Sequence, residues 1–187
     1  MTRFPIRWVA LVVGIVAVAF GVMLAVQHRS EPSVPRLVLE HAPVPNFTVK
    51  SLDGKSISPA QMKDKTVVVN FFNSWCIPCQ QEEPALKAFY AEHKDEADFA
   101  MIGIIIDDDA STMRGYVRAE GITWPVAVDP KGEASLSFGT TGQPETYVFA
   151  PDGTAVCGVL GASTTTALDT WLSAARDGQE CSLKHSQ

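Results

Sequence analysis

The segment Thr66-Val67-Val68-Val69-Asn70-Phe71-Phe72 is β-branched or aromatic at every position but Asn70, with almost no alternation. A strand with one wet face alternates; an unbroken run needs cover on both faces. That confines the chain to a layered arrangement with helices on both sides of a sheet. Downstream, Leu86, Phe89, Tyr90 and His93 recur at helical spacing. Residues 101–106 form a second buried strand, residues 111–120 a helix closed by Gly121, 124–128 a brief strand and 133–138 a short helix. Two strands, 146–150 and 154–160, flank the turn Pro151-Asp152-Gly153. A final helix over 165–176 carries Ala167, Leu168, Trp171, Leu172 and Ala175 on one face. Upstream, Phe47-Thr48-Val49 and Ser56-Ile57-Ser58 surround Leu52-Asp53-Gly54-Lys55, a hairpin pattern. This order predicts an α/β sheet with a parallel central pair and an antiparallel edge, sandwiched by helices.

Residues 8–26 carry no charge. A helix of that length rises about 28 Å, close to the hydrocarbon thickness of a bilayer. Arg3 and Arg7 precede it, so residues 1–7 are expected in the cytoplasm and the remainder outside, anchored by one transmembrane helix. A cleaved signal peptide usually has a shorter apolar region ending at a small-x-small site; here the run is longer and meets Gln27, His28 and Arg29. Residues 27–45, with Pro32, Pro35, Pro43 and Pro45, read as a tether. The folded domain is expected over 46–178, with a polar tail at 179–187. The formal net charge of -6 disfavours nucleic acid. Nothing suggests a dimerisation domain, and a monomer is expected.

Trp75-Cys76-Ile77-Pro78-Cys79 falls between the buried strand and the first helix of the domain. Unpaired N–H groups and the dipole at a helix N-terminus stabilise an anion, and the thiolate is the reactive form of cysteine. Cys76, before the helix, is the expected nucleophile and the more exposed sulfur; Cys79, one turn in, is the expected buried resolving thiol. Zinc binding is the rival, but Cys157 and Cys181 form no second close pair and the four His are scattered. A purely structural disulfide would not need this placement. No metal or cofactor is expected.

The segment VVVNFFNSWCIPCQQEEP resembles the active-site region of the thioredoxin superfamily, and more closely its membrane-anchored TlpA/ResA/CcmG (DsbE) group. The likeness extends to Pro45-Asn46-Phe47-Thr48, Leu52-Asp53-Gly54-Lys55, Thr123-Trp124-Pro125-Val126, Gly142-Gln143-Pro144-Glu145-Thr146 and Pro151-Asp152-Gly153. It implies a thioredoxin-like fold, a central mixed sheet flanked by helices, with an N-terminal hairpin extension. It also implies roles. Pro144 matches the cis-proline facing the cysteines, exposing the backbone of Gln143 to an extended substrate. Trp75, Ile77 and Pro78 would complete the substrate surface. Glu82 matches an acidic residue that transfers protons to the sulfurs and tunes their pKa.

Three features depart from that pattern. Cytosolic thioredoxins carry a buried Asp where this chain has Asn70, and family members often have a basic residue where Gln80 stands. Cys157 and Cys181 are extra. They could bridge and pin the C-terminal tail, stay free, or form a second relay; the bridge is the expectation. Asp107-Asp108-Asp109 is expected to cap the following helix rather than bind metal.

The resemblance implies an extracytoplasmic dithiol reductase acting on the haem-binding cysteines of apocytochrome c or in metal-centre assembly, supplied by a membrane electron donor of the CcdA/DsbD type. Ile77-Pro78 lacks the histidine of strong oxidases, and Glu82 disfavours the thiolate; both make the couple more reducing. An oxidase or isomerase for secreted proteins, and a redox-inactive binding module, remain as alternatives. A thiol peroxidase would need Thr or Ser where Asn73 stands.

Overall fold

The computed structural model describes residues 6–27 and 42–181, and the chain divides into two units, Met1–Val34 and Pro35–Gln187. In the first, Ile6–Gln27 forms one helix, α1. Its described side chains, Trp8 and residues 11–22, are exposed. Among the described residues no helix is long and apolar enough to cross a membrane; these side chains cover only part of the 8–26 stretch on which the anchor expectation rests. Most of the expected tether, 28–41, and the tail 182–187 lie outside the described residues.

The second unit runs β1 (Val49–Ser51), β2 (Ser56–Ile57), a 3-10 turn at Pro59–Met62, β3 (Thr66–Phe72), α2 (Ile77–His93), β4 (Phe99–Ile105), α3 (Ala110–Glu120), β5 (Val126–Val128), α4 (Glu133–Phe138), β6 (Glu145–Phe149), β7 (Ala155–Leu160) and α5 (Thr165–Arg176). The strands make one mixed sheet in the order β2-β1-β5-β4-β3-β6-β7. β3 runs parallel to β4, and β4 to β5. β6 and β7 extend one side antiparallel, and β1 and β2 the other.

β3 is buried along its whole length, and its two faces feed two cores. Val68 and Phe72 pack with Leu86 and Phe89 of α2, Met113 of α3, and Leu168, Trp171 and Leu172 of α5. Val67, Val69 and Phe71 face the other way. There the ring of Phe138 lies 5.1–5.8 Å from those of Phe47, Phe71, Tyr147 and Phe149. The run lacks alternation because neither face is wet.

Some boundaries differ from the sequence reading. Phe47 precedes β1, its ring spent on Phe138 instead of a strand position. Trp124 and Pro125 precede β5, with Trp124 inserted in the core. Residues 42–44, read as tether, pair with the β6–β7 turn: Val44 N donates to Gly153 O, and Ala155 N to Ala42 O. Prolines 43 and 45 obscure this because Pro cannot donate to a ladder, although its carbonyl and its neighbours' N–H groups still can bond.

Candidate active site

β3 delivers the chain to the carboxyl edge of the sheet, where residues 73–76 turn into α2. Cys76 is the N-cap of α2, and its Sγ accepts the backbone N–H of Cys79 at 3.2 Å. Pro78 occupies the first turn, where a missing N–H costs nothing. Cys76 and Cys79 form a disulfide, Cα–Cα 5.2 Å. The sulfur therefore sits where helix N–H groups stabilise negative charge on it once reduced. The expected contrast in exposure is absent from this oxidised form: Cys76 is 5% and Cys79 4% exposed. In the disulfide Cys76 is buried at the first turn of α2, and its neighbours Trp75 and Ile77 are the exposed apolar groups, at 62% and 66%.

Glu82 lies one turn beyond Cys79 on α2 and is 2% exposed. Its Oε1 accepts from Asn70 Nδ2 at 2.8 Å and its Oε2 from the Ser163 backbone N–H at 2.9 Å. Burial pushes its carboxyl up to about 7, outweighing the opposing pull of the Ser163 and Asn70 hydrogen bonds. Asn70 Nδ2 also donates to Thr146 Oγ1 at 3.0 Å. The group that cannot titrate at position 70 thus supports one that can at position 82. Neighbouring Glu83 is also buried, but faces a different set: it accepts from Tyr116 Oη and pairs with Lys87 Nζ at 2.6 Å. Sequence reasoning singled out Glu82 but not Thr146 or Ser163; the latter bonds Glu82 through its backbone N–H, which leaves no side-chain signal.

The Gln143–Pro144 peptide bond is cis. Asn73 Nδ2 donates to Gln143 Oε1 at 2.7 Å and to Ile106 O at 3.3 Å, linking the loop before Cys76 to the loops entering β6 and leaving β4. After Pro144, Glu145 is buried, its carboxyl held above the usual range by burial. An open groove of about 930 Å³ runs between Ile106–Ala110, Val128–Gly132 and Thr140–Gln143.

Trp75 is not a core residue: its indole N–H donates to Asp107 O at 3.1 Å with the ring in solvent. Asp108 Oδ2 accepts from both the backbone N–H (3.0 Å) and Oγ (2.6 Å) of Ser74. Asp109 is the N-cap of α3, accepting from the N–H groups of Ser111 and Thr112. Capping thus describes only the last of the three aspartates.

Cys157 and Cys181 form a second disulfide, Cα–Cα 5.4 Å. It lies toward the end of β7 remote from Pro144, since Cys157 pairs with Val148 while Leu160 pairs with Glu145. A group with metal-ligand spacing, Glu92, His93 and Asp169, sits at the other end of α2. The two His93 ring nitrogens there are within 3.0–3.1 Å of Glu96 and Asp169 oxygens.

Residues 41–156 match the AhpC/TSA family model. The thiol-disulfide oxidoreductase ResA of Bacillus thuringiensis subsp. konkukian is 30% identical over 128 residues, covering 68% of this chain and 73% of ResA. ResA of Bacillus subtilis strain 168 is 24% identical over 177 residues, 95% of this chain and 96% of its own length. A thiol:disulfide interchange protein of the thioredoxin family from Chlorobium tepidum superposes with a TM-score of 0.66 at 27% identity, over 71% of this chain and 94% of that structure.

Proposed function

We propose, for a chain that belongs to the AhpC/TSA family and carries the site of a thiol–disulfide oxidoreductase, that it works as an extracytoplasmic dithiol reductase. One observation carries the direction of electron flow: a buried carboxyl titrating near 7 stands one turn from Cys79. An ionised Glu82 opposes a thiolate beside it, and a protonated Glu82 holds a proton ready for a leaving thiolate. No cationic side chain between the cysteines favours the reduced form, since Ile77 and Pro78 fill that space. Both shift the couple toward donating electrons.

The Cys76 thiolate attacks one sulfur of a substrate disulfide. The substrate S–S bond breaks, its leaving thiolate takes a proton, and Cys76 is joined to the substrate. The Cys79 thiol loses its proton to Glu82 and attacks the Cys76 sulfur, which expels the second substrate thiolate. Glu82, protonated at the outset, gives its proton to the first leaving thiolate, and the proton it then takes from Cys79 passes to the second. Two electrons and two protons thus reach the substrate, and the protein is left with the Cys76–Cys79 disulfide and an ionised Glu82. Gln143, before the cis-proline, pairs with an extended substrate, while Trp75, Ile77 and Pro78 flank the reacting sulfur.

The haem-binding cysteines of an apocytochrome c suit this site, as does a metal-centre assembly protein, with a membrane donor of the CcdA/DsbD type restoring the dithiol. Membrane anchoring is supported by the uncharged stretch 8–26 behind Arg3 and Arg7. The Cys157–Cys181 disulfide supports an oxidising compartment, because such bonds are rare in the cytosol. Equilibrating the protein in thiol buffers tests the reading. A potential near or below about -270 mV, that of thioredoxin, supports the reductase; one near about -120 mV makes the protein a disulfide donor.

A further inference from the structure

The run Asp107-Asp108-Asp109 has one member assigned, the α3 cap. The other two act on the segment that leads into Cys76. Asp107 has φ +55, a left-handed conformation uncommon for any residue with a side chain but accessible to Asp and Asn. Its carbonyl receives the Trp75 indole N–H. Asp108 holds the preceding residue, Ser74, at both backbone and hydroxyl, and turns its other oxygen to the N–H of Asp109 at 2.8 Å. Asn73 reaches the adjoining Ile106 carbonyl. Three successive residues before the nucleophile are thus fastened to three successive residues after β4.

We propose that the Asp107–Asp108 turn is a positioning clasp that sets Trp75 as a fixed platform for polypeptide substrates. An exposed tryptophan is ordinarily free to change rotamer. Here its one polar atom is tied to main chain, so its apolar face is presented beside Cys76 with little left to order on binding. That is how a preorganised aromatic surface gains affinity. The turn that holds the Trp75 indole also lines the open groove, whose lining includes Gln143. A peptide held at Gln143 and crossing toward Cys76 meets the platform, whereas a small disulfide needs only the sulfur. The clasp therefore discriminates by substrate size and leaves sulfur chemistry alone. This inference rests on the oxidoreductase activity but not on the direction of electron flow.

The test compares Asp107→Val with Asp107→Asn in the full-length reduced protein. Valine does not tolerate the left-handed turn, whereas asparagine does. Each protein reacts with a decapeptide containing one intramolecular Cys-x-x-Cys disulfide and with 5,5′-dithiobis(2-nitrobenzoic acid), and its reduction potential is measured. Asp107→Val is expected to slow the peptide reaction about tenfold, to leave the small disulfide within about twofold, and to leave the potential unmoved. The Trp75 indole proton should lose protection from solvent exchange by NMR, and Asp107→Asn should match the native protein throughout. Parallel loss on both substrates, no loss on the peptide, or an equal loss in Asp107→Asn overturns the clasp. If Asp107→Val does not fold, Asp107→Ala, which disfavours the left-handed turn more mildly, must show the same peptide-selective loss to a smaller degree; native peptide rates there refute the proposal. A native protein inert toward both disulfides refutes the oxidoreductase reading instead, and indole exchange still reports whether the clasp exists.

Discussion

Replacing Glu82 by glutamine tests both the fold's electrostatics and the proton-transfer role. A carboxyl that titrates near 7 when folded and near 4.5 in its ordinary state binds a proton across that window only in the folded chain. Stability is then highest below pH 4.5, falls between 4.5 and 7, and stays lower above. At about 1.36 kcal/mol per pH unit, the rise corresponds to about 3 kcal/mol lost across the window. A glutamine at this position has no charge to bury, so that slope should vanish. The substitution carries its own cost: both Glu82 oxygens accept, from Asn70 and Ser163, and the amide nitrogen of the replacement leaves one of these donors unpaired, at about 1–3 kcal/mol. Urea titrations from pH 5 to 8.5, followed by tryptophan fluorescence on the oxidised protein, read both effects. His93 adds a slope of the same sign. Burial lowers its pKa, but hydrogen bonds to Glu96 and Asp169 outweigh this and raise it. Its contribution is present below the unfolded value and fades as pH rises through the folded one. The difference between native and Glu82→Gln curves removes this shared term. If the two curves run parallel, Glu82 is ionised in the folded protein near neutrality and its assignment as the proton-transfer group falls.

Phe138→Ala should cost about 3–5 kcal/mol, because its buried ring joins four others; an m-value-matched urea midpoint measures it. Cys181→Ser should cost about 3 kcal/mol, the loop-closure entropy for a separation of 24 residues, without shifting the Cys76–Cys79 potential; an altered potential would show that the two disulfides communicate. Cys79→Ser should accumulate a mixed disulfide between Cys76 and substrate on non-reducing gels, and Cys76→Ser should accumulate none.

The βα passage at Cys76, the run that becomes β3 and the final helix were all legible, because local patterning and tertiary demand agree there. The closing helix matches its expected limits, with Thr164 capping it through the Ala167 N–H. Contacts between residues far apart in sequence were not legible. The identity of Asn70 does not reveal that it orients Glu82 twelve residues on and Thr146 seventy-six residues on. Three adjacent aspartates look alike in sequence, yet one reaches Trp75 through its carbonyl, one accepts from Ser74 and one caps α3. Backbone groups carry much of this site, and backbone groups leave no trace in composition.

The free margin of β7 would otherwise offer unpaired N–H and carbonyl groups to any passing chain, a template for edge-to-edge aggregation. Residues 42–44 close one end of that margin through Ala155 N and Gly153 O, and the Cys181 N–H donates to Val156 O at 3.1 Å. The disulfide to Cys157 keeps this last segment in place. The second cysteine pair thus serves as a selvedge: it keeps the sheet from recruiting strangers when the protein is crowded among chains that have yet to fold.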